Sequence, residues 1–103
     1  MIERETSISR NPRATFRKLQ EGAGSVILHL DSAEYHGVNE VGSLVWTLLE
    51  EERNFSSLIE ELRSRLENPP PTLEGDISTF LGELAERDLI FLRDVAEKDE
   101  SQP

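Results

Sequence analysis

Residues 33–49, Ala-Glu-Tyr-His-Gly-Val-Asn-Glu-Val-Gly-Ser-Leu-Val-Trp-Thr-Leu-Leu, change period at Asn39. Before it, Ala33 to Val38 read as a short strand. After it, Val41, Leu44, Val45, Leu48 and Leu49 recur at helical spacing and make one apolar stripe. Asn39 is placed to cap that helix, because its side-chain oxygen can accept an amide that has no partner in the first turn. Glu40 adds a carboxylate at the positive end of the helix dipole. Trp46 lies off the centre of the stripe, where it can cover a sheet or another helix. A strand feeding a capped helix at residue 39 is the hinge of the fold.

Upstream, Ser25-Val26-Ile27-Leu28-His29-Leu30 is the clearest strand, bounded by the turn signals Gly22-Ala23-Gly24 and Asp31-Ser32. Residues 14–19 form a shorter strand with Phe16 as its inward anchor. Tight connections make the three an antiparallel meander. Residues 1–12 are polar, end in Asn11-Pro12, and read as a flexible arm. Downstream, Asn54 caps a second helix whose stripe is Phe55, Leu58, Ile59, Leu62 and Leu66. Pro69-Pro70-Pro71 stops it. Thr72 is placed to cap a third helix with Leu73, Ile77, Phe80, Leu81 and Leu84 on its apolar face. Gly75 and Gly82 weaken that helix or allow a close approach. The helix ends near Asp88, and Leu89 to Leu92 dock back as an extended segment. Residues 94–103 read as a disordered acidic tail. The order is three strands then three helices, an α+β domain over residues 13–93.

Composition narrows the function. The chain has 103 residues, no cysteine and a net charge of −10. That excludes disulfides, thiolate metal sites and a thiol nucleophile. Residues 50–103 carry six basic and fifteen acidic side chains. Such acidity opposes contact with nucleic acid and anionic membranes. No apolar run approaches the length of a membrane helix, and residues 1–6 lack a signal-peptide core. A cytoplasmic setting is expected. His29 and His36 are the two histidines, with no third ligand at metal spacing and no nucleophile elbow among the serines. Catalysis, a metal and a cofactor are not expected. Gly22-Ala23-Gly24-Ser25 lacks the ending of a phosphate loop and opens no helix.

The 33–49 string resembles the PqqD-like family, the peptide-recognition domains of ribosomal peptide maturation. Asn54 to Leu62, Asp76 to Leu84 and Arg87-Asp88-Leu89-Ile90 resemble its second helix, third helix and closing turn, so the likeness spans about residues 10–93. Glu50-Glu51-Glu52-Arg53 stands where proteins of the quinone pathway itself have Cys-Asp-Gly, and Asp88 stands where the closing turn usually has Gly. The resemblance implies a winged helix-turn-helix-like domain. It also implies an adaptor that binds the leader segment of a precursor peptide and presents it to a modifying maturase. The leader would pair with the third strand and fill a groove against the third helix. The residues so implied are Ala33, Glu34, Tyr35, His36 and Gly37, with Ile77, Phe80, Glu83, Leu84 and Arg87 from the helix. The oligomeric state is left open. The alternative is an acidic winged-helix regulatory domain that binds DNA or another protein. Its third helix would set Arg87 alone against Glu74, Asp76, Glu83, Glu86 and Asp88.

Overall fold

The computed structural model describes residues 2–19 and 24–94. In chain order it contains β1 (Thr6–Arg10), β2 (Ala14–Lys18), β3 (Ser25–His29), β4 (Tyr35–Val38), α1 (Glu40–Leu48), β5 (Arg53–Asn54), α2 (Phe55–Arg65), α3 (Leu73–Glu86) and β6 (Ile90–Asp94). The strands form two antiparallel three-stranded sheets, ordered β5-β1-β6 and β2-β3-β4. The second sheet is the expected meander, and the three helices follow it.

The first sheet corrects the reading of residues 1–12 as a loose arm. Thr6–Arg10 is the central strand of that sheet, paired to β5 through Ser7 and Ile8 and to β6 along its whole length. Ile8 is fully buried. Pairing satisfies the backbone groups of a segment whose own side chains carry little apolar area. The ordered domain therefore begins before residue 13. At the other end, Leu89 to Leu92 dock back as expected, and β6 runs on to Asp94. Residues 95–103 of the expected tail, and Gly22-Ala23 of the expected turn, lie outside the described residues.

The helix starts follow from their caps. Asn39 Oδ1 accepts from Gly42 N at 2.8 Å, and Asn54 Oδ1 accepts from Ser57 N at 2.8 Å. Thr72 stands at the cap position of α3 but does not bond an amide. Its hydroxyl donates to Asp76 instead, at 3.0 Å. The apolar faces of the helices meet in one core with Ile8 and Ile27 from the two sheets, and Val45, Leu58, Leu62, Leu81 and Leu84 are fully buried.

The start of β3 depends on Gly24, whose φ is +79°. A Cβ there would lie 2.8 Å from the Val38 carbonyl oxygen, too close for any side chain. Gly24→Ala combines a left-handed backbone with that clash. It should lower stability by about 1–3 kcal/mol in urea unfolding, and more if the strand pair shifts.

Candidate functional site

β4 is an edge strand of its sheet among the described residues. Its hydrogen-bond phase decides what the edge offers. His29 N donates to Glu34 O at 2.8 Å, and the register pairs Ile27 with His36 and Val26 with Gly37. In an antiparallel ladder the paired positions alternate. His36 and Val38 therefore turn their backbone groups toward β3. Tyr35 and Gly37 turn theirs outward, each with one N–H and one C=O. The strand is shorter than the expected Ala33 to Val38. Ala33 and Glu34 lie in the turn before it, Ala33 in the left-handed region at φ 63°.

Side-chain direction alternates in step. Ile27 and His29 are buried, and His36 and Val38 share their face of the sheet. Tyr35, which is 71% exposed, and Gly37 lie on the opposite face. The His36 ring tilts against Phe80 of α3, with centroids 6.3 Å apart. Phe80 is half-buried and forms the wall facing β4. Glu83 and Arg87 follow it on the same side of α3, both exposed.

Ile77 and Leu84 sit differently from the expectation. Leu84 is fully buried and Ile77 is 3% exposed, so both are core, and Leu84 presents no surface to a partner. Ile77 keeps one edge on a cavity of about 230 Å³ that lies beyond the end of β4. Asn39, Val41 and Gly42 bound it from the start of α1, and Leu73, Asp76 and Phe80 from α3. None of these but Phe80 and Ile77 was singled out for binding from the sequence. Gly42 held the usable signal, a glycine in the first turn of an otherwise apolar helix. A Cβ there would meet the Phe80 ring and Val38 at 3.0 Å, so glycine lets α1 approach both. Gly75 and Gly82, the glycines expected to permit close approach, have nothing within 4 Å of an added Cβ.

Polar groups close the other end. His29 Nε2 is 3.0 Å from Asp88 Oδ2, and Asn11 Nδ2 donates to the Asp88 carbonyl at 2.7 Å. Asp88 holds φ 63°, the left-handed turn expected at the end of α3. The Arg13 guanidinium, hydrogen-bonded to Asp31, holds that carboxyl below the usual carboxylate range. No helix among the described residues is long and apolar enough to cross a membrane.

The family model described as coenzyme PQQ synthesis protein D (PqqD) matches residues 24–90. Two solved structures share the fold. One is TbiB1 in complex with the TbiA(beta) leader peptide. It is 28% identical over 80% of this chain and 93% of that one, with a TM-score of 0.65. The other is lasso peptide synthetase B1 complexed with the leader peptide. It is 24% identical over 82% of this chain and 96% of that one, with a TM-score of 0.62. The search of curated proteins gives no match.

The burial pattern separates core from wall on α3. Leu84→Ala should cost about 2–5 kcal/mol in urea unfolding, as fully buried leucines do. Phe80→Ala should cost less, because its ring already keeps one side open.

Proposed function

The chain belongs to the PqqD family, and we propose that it binds the leader segment of a ribosomally made precursor peptide and presents it to a modifying enzyme. The observation that carries this reading is the open β4 edge beside Phe80, in a fold shared with TbiB1, whose structure holds a leader peptide. An extended peptide adds as a fourth strand and bonds to the outward groups of Tyr35 and Gly37. The peptide residue opposite His36 then shares the inner face and meets Phe80 and the exposed Glu83 and Arg87.

Magnitudes show that the edge alone is insufficient. One N–H and one C=O from each of two residues, at about 0.5–1.5 kcal/mol net per bond, give roughly 2–6 kcal/mol. A micromolar complex needs about 8 kcal/mol beyond all ordering costs. Apolar burial must supply the difference, at roughly 25 cal/mol per Å². The cavity beside Phe80 and Ile77 is the place for it. Engineered cavities of about 150 Å³ accept a benzene ring, and this one is about 230 Å³.

The role is that of a non-catalytic adaptor in the cytoplasm, with a precursor peptide and a maturase as partners. The DNA-binding alternative is disfavoured by α3, where Glu83, Glu86, Asp76 and Asp88 are exposed around Arg87. Contacts to phosphates would need several cations there.

The test is titration calorimetry with synthetic leader peptides taken from short precursor reading frames sought near the gene. Gly37→Pro removes an outward donor, and an added Cβ there meets nothing within 4 Å. The variant should stay folded, as proline is tolerated with its nitrogen facing off an edge, and lose about tenfold or more in affinity. Glu83→Lys should change affinity while leaving the melting temperature in place. If both variants stay folded and bind like the parent, the site lies elsewhere.

A further inference from the structure

β4 and α3 face each other across His36 and Phe80. Beyond Phe80, α1 and α3 bound the cavity of about 230 Å³. At the other end His29, Glu34, Tyr35, His36, Arg87 and Leu89 enclose about 10 Å³, the room of a single water. What closes that end is His29, 6% exposed, which is bonded through its backbone and both ring nitrogens. Its N–H donates to Glu34 O, and its carbonyl accepts from Ala33 N, each at 2.8 Å. Its Nδ1 accepts from Asp31 N at 3.1 Å, with Ser32 N at 3.4 Å. An accepting Nδ1 leaves the ring proton on Nε2, which donates to Asp88 Oδ2. One side chain thus organises the turn that launches β4 and reaches the residue that ends α3.

We propose that His29 and Asp88 are positioning residues, a tie that sets the spacing of the two groove walls without touching the peptide. This rests on the reading of the groove as the peptide site. Asp88 itself points to the tie. Its left-handed backbone favours glycine, yet this chain keeps a carboxylate there, and that carboxylate reaches the one buried histidine among the described residues. Asn11 holds the Asp88 carbonyl and Arg13 holds Asp31, both from the β1–β2 turn. Each end of the tie is therefore anchored to a turn outside the groove. Glu34 and Arg87 are the charged groups lining the notch beside it.

Asp88→Gly is the decisive variant, because it removes the carboxylate and eases the backbone together. The melting temperature should not fall. Affinity for the synthetic leader should fall by about fivefold or more, the scale of mutations that act on a site without contacting it. Amide exchange at Ala33 and His36 in the peptide-free protein should quicken. Asp88→Asn keeps an acceptor for Nε2 and tolerates the left-handed turn, so it should stay within about twofold of the parent. Unchanged exchange at Ala33 and His36 overturns the tie, whatever the affinity does. So does Asp88→Gly binding within twofold of the parent. If the parent binds no leader, the peptide reading fails by itself, and exchange in the two variants still decides whether the tie holds the walls.

Discussion

Trp46 makes the two sheets one molecule. Among the described residues the sheets share no ladder, and both lean on this ring at the end of α1. Phe16 of β2 stacks on it, with centroids 6.4 Å apart and planes 19° from parallel. Arg10 of β1 lies 4.8 Å from its centroid, a cation over a π face. The same guanidinium donates from Nε to the Trp46 carbonyl at 3.1 Å. That carbonyl is one of the last in the helix, and it also accepts the N–H of Leu49 at 3.1 Å. The last turn of α1 has no basic residue of its own, so Arg10 of β1 supplies the cation at that negative end. Stacking, cation and cap converge on one residue that is 2% exposed.

The helices and the meander were legible because their signals are local. Asn39 and Asn54 act within three residues of themselves, and α2 already ends at Arg65, ahead of the Pro69-Pro70-Pro71 expected to stop it. The first sheet was not legible in full. Thr6-Ser7-Ile8-Ser9-Arg10 has one large apolar side chain, and its partners lie far along the chain, with Ser7 paired to Asn54 and Arg93. No window of sequence contains both halves of such a ladder. Leu89 to Leu92 were read as docking back, but their partner was hidden inside the segment taken for an arm. Thr72 shows a subtler limit. The cap position was right, while a carboxylate four residues on competes for its hydroxyl.

The candidate site was legible as an edge and a helix, not as particular contacts. Periodicity puts Ile77, Phe80 and Leu84 on one stripe of α3, and it has no means of saying where the core stops along that stripe. Packing decides it: Leu84 closes over completely, while Phe80, set against Gly42 and His36, stays half open. Strand phase was equally out of reach. Which of His36 and Gly37 faces outward follows from the bond between His29 and Glu34 in the turn. That turn depends on a left-handed Ala33, a conformation that alanine does not advertise.

An open strand edge is a template for any other strand, including one from a second copy of the same chain. β4 is four residues long, and only Tyr35 and Gly37 face out. Shortness limits such pairing without preventing it. Charge works against it further. Each copy carries −10, with most of the excess in residues 50–103, the half that contains α3 beside the edge. Two copies meeting edge to edge would bring these acidic helices toward one another, against a repulsion that salt screens only beyond roughly 8 Å. A short peptide without that acidic excess meets no such repulsion. The acidity that sets α3 against nucleic acid works, by the same physics, against pairing between two β4 edges.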